Sequence, residues 1–304
     1  MYAWTEEELA FRDAVRSFVD KEIRPLQDDL EHEGLPPYEI SRKFYKAFGL
    51  DEAAAEYFEW QIRRDEAAAA GEAFDEPQPE GGVGGGPIAN IELAKVGLGI
   101  PTAIGISAGM VGGTINSLGT VEQRRRWARD VMTLAKIGAW AITEPDAGSD
   151  AFGGMRTTAK PDGNGGWVIN GQKTFISNGP YADTIIVYCK LDDGSEPDRR
   201  KQPVLIFVLD ADMEGLTRSK PFKKMGMSSS PPGSSSSTTS RSALTGCWPA
   251  SPAPTAVSRR GRTSSANASA SPRSPSASSR SANGSPSTMP SSASCGASRS
   301  ASSS

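Results

Sequence analysis

An α+β protein with its helices first and its strands after them is the fold class this sequence predicts, on three observations. Apolar residues recur at helical spacing through roughly the first 136 positions. From Ile137 onward the chain turns to short runs of β-branched and aromatic residues. The two kinds of segment do not alternate, which argues for a helical domain followed by an antiparallel set of strands rather than βαβ units. The 304 residues leave room for about two domains of ordinary size.

The helices can be justified in order. Thr5 with Glu8 forms a capping box that satisfies the unpaired amides of a first helical turn. Phe11, Val15, Phe18, Val19 and Ile23 then repeat at helical spacing until Pro25, which is expected to end the helix. Tyr38, Phe44 and Phe48 predict a second helix that stops at Gly49. The Ala- and Glu-rich residues 52–74 favour a third. The segment "EPQPEGGVGGGP" (76–87) reads as a loop. A glycine cluster cradles phosphate when it lies between a strand and a helix, and no strand precedes this one. Helical patterning resumes at Ile88–Val96, and Thr120 with Gln123 caps "TVEQRRRWARDVMTL" (120–134), whose Arg124–Arg126 run reads as a solvated face.

The strands follow as "IGAWAIT" (137–143), "GWVINGQKTFIS" (166–177), "DTIIVYCKL" (183–191) and "PVLIFVLD" (203–210). A hairpin turn, "DGNGG" (162–166), precedes the second.

Composition excludes several functions. Residues 234–304 contain 27 serines and seven arginines but no Asp, Glu or Lys, so residues 1–233 carry a net charge of −10. An acidic folded region argues against a nucleic-acid partner. Cys189, Cys247 and Cys295 fall at no metal or disulfide spacing, so no metal site is expected and a reducing, cytoplasmic setting is. The charged start lacks the apolar core of a signal peptide, and no run of about 18 apolar residues predicts a membrane span.

Three motifs then occur in order: "AWAITEPDAGSD" (139–150), "WVINGQKTFISNGPYADTIIVY" (167–188) and "SKPFKKMGM" (219–227). Together they resemble the acyl-CoA dehydrogenases, over about Trp4 to Gly233, with residues 50–90 resembling an insertion. The resemblance implies an N-terminal helical domain (1–136), a middle β-barrel or sandwich domain (137–233) and a C-terminal four-helix domain, which this chain lacks. It implies FAD as cofactor, an acyl-CoA thioester as substrate, an electron-transfer flavoprotein or similar acceptor as partner, and a homotetramer. In that family a glutamate takes the α-proton as hydride leaves the β-carbon for the flavin, and that glutamate belongs to the missing domain, so no catalytic residue is expected here. An acyl-CoA oxidase, in which reduced flavin meets oxygen, is the alternative within the class.

By the same resemblance Trp140, Ile142 and Thr143 line the flavin, and Gly148 and Ser149 follow in the same loop. Ser149 is expected to meet both cofactor and acyl-CoA. Phe175 stands where the family has tryptophan against the flavin, and Ser177 where it has threonine near the reactive nitrogen. Asp146 stands where many members have glycine. Such residues suit hydride transfer, which needs polar groups at the flavin edge and an apolar wall that excludes water. Taken singly, Trp140 and Phe175 also read as β-core aromatics, Glu144 as structural, His32 as a surface residue and Cys189 as packing.

After Gly233 the family pattern gives way to "SSSSTTS". If Gly233–Ser240 are encoded GGG AGC TCT TCT TCG ACG ACG TCG, reading one base earlier gives Glu-Leu-Phe-Phe-Asp-Asp-Val, a strand of the family type. Two later stretches, 241–249 and 287–294, shift into family-like sequence in the same way. The tail therefore reads as the out-of-frame shadow of a hydrophobic domain, and 234–304 is expected to be disordered. A genuine Ser/Arg-rich adaptor tail that binds RNA or protein partners is the rival reading.

Overall fold

The computed structural model describes residues 4–79, 86–163, 166–242 and 247–249, all within one compact unit, Met1–Pro252. Helix α1 (Glu6–Phe18) begins at the expected capping box: the Glu8 amide donates to Thr5 Oγ1 (3.2 Å) and the Thr5 amide to Glu8 Oε2 (2.8 Å). Pro25 does not stop the helical path. It lies in a 3₁₀ turn (Arg24–Leu26) between π-helical turns at Val19–Ile23 and Asp29–Glu33. A proline in the first turn of a helical segment gives up no hydrogen bond, because that amide has no partner in the turn before it. The path ends at Gly34, whose φ of 79° only glycine adopts readily.

Helix α2 (Tyr38–Ala47) and helix α3 (Leu50–Ala70) are separated by Gly49, at φ 62°. The first part of the expected insertion is therefore core. Ala54, Phe58 and Ile62 recur every four residues on α3 and are buried against Val111, Ile115, Trp127 and Val131. A phenylalanine buried as fully as Phe58 is worth about 3–5 kcal/mol over alanine. Residues 80–85, most of the glycine-rich loop, lie outside the described residues, and so does its phosphate-cradle reading.

Helices α4 (Gly86–Ala94) and α5 (Gly99–Ile104) follow, and α5 continues through a π-helical stretch (Gly105–Gly112) into α6 (Gly113–Leu118). The Thr120–Gln123 capping box opens α7 (Val121–Gln123), which runs on through Arg124–Ala128 to α8 (Arg129–Met132). The arginine run is only partly solvated. Arg125 and Arg126 are on the surface, but Arg124 is buried, with its guanidinium on Asp65 (2.5 Å) and Asn116 (2.9 Å).

The strands are β1 (Gly138–Ala141), β2 (Thr158–Pro161), β3 (Trp167–Ser177), β4 (Thr184–Leu191), β5 (Val204–Asp210), β6 (Leu216–Arg218), β7 (Pro232–Ser242) and β8 (Cys247–Pro249). Their order is β6-β7-β3-β2-β4-β5-β8, with β1 also on β4. Most pairings are antiparallel, as expected, but β1 and β2 both run parallel to β4. Both reach β4 through long connections rather than hairpins, which is what parallel pairing requires. Ala139, Ile169, Ile185, Cys189 and Phe207 pack on one face of the sheet, and Ile186, Ile206 and Val208 face the α3 and α8 helices on the other. Gly138 makes that second contact close: a Cβ there would sit 2.7 Å from Val111 and 2.9 Å from Val131.

The expectation that order ends at Gly233 is corrected by β7. It pairs with β3 from Ser177↔Pro232 to Trp167↔Ser242 and with β6 through Ser235–Ser237, and Cys247–Pro249 pair with β5. A β-ladder is made of backbone groups, so a free strand edge accepts a serine run as readily as an apolar one. Serine also helps itself here, because Ser237 Oγ donates to Ile169 O (3.0 Å). Residues 243–246 and those from 250 onward lie outside the described residues.

Candidate functional site

The β1–β4 ladder ends at Ala141↔Val187, and β2 takes over the same edge of β4 only at Thr158↔Lys190. Residues 142–157 leave the sheet in that gap, and they carry Thr143, Glu144, Gly148 and Ser149. The loop is bound to β3 at its root. The Thr174 amide donates to Thr143 O (3.0 Å), and Thr143 Oγ1 donates to Thr174 O (2.6 Å). Lys173 Nζ donates to Ile142 O (3.0 Å) and to Glu144 Oε1 (2.8 Å). Glu144 further accepts the amides of Arg156 (2.6 Å) and Thr157 (3.0 Å), which closes the far end of the loop on the same carboxylate.

Burial pushes the Glu144 carboxyl up, but the hydrogen bonds from Lys173, Thr157 and Arg156 outweigh it and hold the pKa below the ordinary carboxylate value. Burial lowers Lys173, and its bond to Glu144 offsets part of that. Both side chains are nearly solvent-free, so Glu144 is a structural anion, as expected, with no room to act as a base.

Immediately after Lys173 the β3–β7 register shifts, and Phe175 takes a left-handed φ of 57° with 72% of its surface exposed. A phenylalanine in that region is strained, and strain persists where surrounding structure over-determines it. Its ring stands edge-on to Phe222 at 5.7 Å. This is no core aromatic: the ring is displayed. Ser177, half-buried, ends β3 opposite Pro232.

Trp140 and Ile142 alternate with the buried Ala139 and Ala141, half-exposed on the face toward the helices, where Trp140 stacks on Tyr188 (5.8 Å, 2° between planes). The packing reading of Trp140 therefore holds for part of its ring. Gly148 and Ser149 are exposed at the crest of the loop, and no hydrogen bond joins them to β3 among the described residues. A Cβ on Gly148 would meet nothing within 4 Å, so the backbone there is open to a ligand. Asp146, the added carboxylate, pairs with Arg156 across the loop (3.0 Å) and ties its rim.

The structure thus brings Thr143 directly beside the Phe175–Ser177 strand end and leaves Gly148 and Ser149 at the rim. Lys173 was not singled out as a site residue. Its signal was available: in "INGQKTFIS" it falls on the same phase as the buried Ile169, where a lysine needs an anion. Of the single readings, Cys189 is buried and His32 is exposed beside Asp28 (3.7 Å). Among the described residues no helix is long and apolar enough to cross a membrane.

A displayed aromatic ring, a hydroxyl two residues on and an open glycine suit a flat, mostly apolar cofactor with a polar edge. The comparisons with known proteins concern the two domains that carry these residues. The family model for the acyl-CoA dehydrogenase N-terminal domain matches residues 5–54, and that for the acyl-CoA dehydrogenase middle domain matches residues 139–238. The chain is 31% identical over 232 residues to a 3-(aryl)acrylate reductase of Clostridium sporogenes, covering 74% of this chain and 53% of that protein. It is 31% identical to a caffeyl-CoA reductase–Etf complex subunit of Acetobacterium woodii, with 74% and 53% covered. Among solved structures, an acyl-CoA dehydrogenase of Geobacillus kaustophilus superposes with a TM-score of 0.61 at 30% identity, over 79% of this chain and 57% of that one. The chain spans about half the length of the curated relatives it matches.

Proposed function

The chain belongs to the acyl-CoA dehydrogenase family through its N-terminal and middle domains, and on that premise we propose that it carries the flavin-facing half of an FAD-dependent enzyme that oxidises an acyl-CoA between its α- and β-carbons. The observation that carries this reading is the root of the 142–157 loop, bound through Thr143 and Glu144 to the strand that displays Phe175. When bound, FAD supplies the acceptor for the hydride that leaves the β-carbon.

This chain's residues prepare the place. Phe175, with Trp140 and Ile142, forms the apolar wall that keeps water from the reacting carbons. Ser177 offers a hydroxyl to the ring edge. The Thr143 proton is already given to Thr174 O, so Thr143 contributes an acceptor and a fixed backbone rather than a donor. Gly148 and Ser149 lie where an acyl-CoA passes over the cofactor.

Residues 215–304 contain no Asp or Glu, so that stretch offers no side-chain carboxylate to take the α-proton. Residues 1–304 are expected to hold FAD weakly and not to dehydrogenate. The frame-restored protein is a cytoplasmic homotetramer that passes electrons to an electron-transfer flavoprotein, a partner consistent with the name of the Acetobacterium woodii relative.

The test compares purified residues 1–304 with a version carrying one base inserted at codon 233 and extended to its natural stop. Anaerobic mixing with an acyl-CoA series is expected to bleach the flavin of the restored protein only. Bleaching by residues 1–304 would show that the 234–304 tail does not abolish activity, and no bleaching by the restored protein sinks the activity. Oxygen uptake in place of acceptor reduction would identify an oxidase. RNA binding that disappears on deleting 234–304 would identify the adaptor.

A further inference from the structure

Asn178 directly follows Ser177 and is fully buried in the left-handed region, at φ 65°. Its amide nitrogen donates to Ala103 O (3.0 Å) in α5 and to Gly138 O (3.1 Å) in β1. Its amide oxygen accepts from the Tyr38 hydroxyl (3.1 Å) in α2. The two carbonyls at one end and the hydroxyl at the other leave a single orientation of the amide that satisfies all three. Its backbone N–H donates to Pro231 O (3.0 Å), just ahead of β7, and its carbonyl accepts from Tyr181 (2.9 Å). One side chain and its own peptide groups thus join two helices, β1, the entry to β7 and the end of β3.

The Asn178 amide bond to Pro231 O is the rung beside the Ser177↔Pro232 pair, but the three side-chain bonds take no part in the β3–β7 ladder. What they do hold is the direction in which the strand leaves the sheet. Phe175 and Asn178, both at positive φ, bracket Ile176 and Ser177, so the short segment that carries the Phe175 ring and the Ser177 hydroxyl runs from the register shift to this joint. We infer that Asn178 is a positioning residue: it fixes the Phe175 ring and the Ser177 hydroxyl against the helical domain. Its link to the cofactor rests on the proposed flavin site; its hold on Phe175 does not.

Asparagine suits the task on two counts. It enters the left-handed region more readily than other non-glycine residues, and its amide is both a double donor and an acceptor. Asn178→Gly keeps the backbone and removes the three side-chain bonds. Tyr38→Phe removes one donor and leaves the rest, a milder lesion for use if the glycine variant does not fold.

The experiment uses the full chain in two arms. The first follows the Phe175 ring protons by NMR without flavin, assigned through Phe175→Leu. The second titrates FAD by fluorescence. In folded Asn178→Gly the Phe175 shifts are expected to move, with shifts in β4 and β5 unchanged, and the FAD dissociation constant to rise at least tenfold. Tyr38→Phe is expected to move the same resonances less. A loss of stability without displacement would leave the shifts of the folded protein where they were, so unchanged Phe175 shifts in either folded variant overturn the inference. If the shifts move but the unaltered chain binds no FAD, the flavin reading falls and the positioning role stands.

Discussion

Lys173 and Glu144 meet at 2.8 Å with 3% and 4% of their side-chain surface exposed, one on β3 and the other at the root of the 142–157 loop. Lys173 also donates to Ile142 O, and Glu144 also accepts the amides of Arg156 and Thr157. A buried pair of this kind adds little over a well-packed apolar one, yet losing one partner strands the other. Lys173→Met is therefore expected to destabilise the β-domain by about 3–5 kcal/mol, and the double variant Lys173→Met with Glu144→Leu by clearly less. Urea midpoints of the two variants and the parent decide this. Equal losses in the single and double variants would show that the pair is not coupled.

The same pair sets a pH dependence. Glu144 is held below its ordinary value of 4.5, so the unfolded chain binds the proton first as pH falls. Its contribution is complete above that value and disappears as pH drops through the lower folded one. The parent is expected to lose stability below about pH 4.5 more steeply than Glu144→Gln. Lys173 acts in the alkaline range, where its lowered pKa makes folding more favourable as pH rises toward the ordinary lysine value. Melting temperatures from pH 3 to 6 test the acid limb, and parallel curves for parent and variant would refute it.

Strand β7 offers a test of the reading frame. Ser235 and Ser237 are buried and Ser236 is half-exposed between them. With the codons supposed above, one inserted base turns them into leucine, phenylalanine and phenylalanine, which puts large apolar side chains on the buried phase. Ser235→Leu combined with Ser237→Phe is expected to stabilise the β-domain by about 1–3 kcal/mol, the usual return for burying such side chains. A lower urea midpoint would mean that the strand has packed around serine and leaves no room.

The hydroxyls at the site have different duties, and substitution separates them. In the frame-restored protein Thr143→Val breaks the 2.6 Å bond to Thr174 O and loosens the loop, so both stability and flavin reduction are expected to fall. Ser177→Ala touches no such bond and is expected to slow flavin reduction by about 5- to 150-fold, equivalent to about 1–3 kcal/mol, with an unchanged melting temperature. Stopped-flow reduction rates equal to the parent for both variants would remove them from the flavin site.

Much of this protein was determined by the sequence alone. Capping boxes at Thr5 and Thr120 and the turn at Gly49 are local chemistry, set within four residues, and the structure has each of them where the pattern predicted. The long strands β3, β4 and β5 came from alternation and composition, which are equally local. Tertiary structure decided the rest. Whether Pro25 stops a helix depends on which segment its missing amide belongs to, and whether Arg124 is solvated depends on Asp65 being folded onto it. The parallel pairing of β1 and β2 with β4 depends on where long connections return. β7 shows the same division in one strand. Side-chain composition predicted disorder after Gly233, but its backbone pairs because β3 and β6 present free hydrogen-bonding edges, a partner that no local pattern can reveal. The site divides in the same way. Thr143, Phe175 and Ser177 were legible as motifs, while Lys173 and Asn178, which hold them, acquire their roles only from partners 29 and 140 residues away.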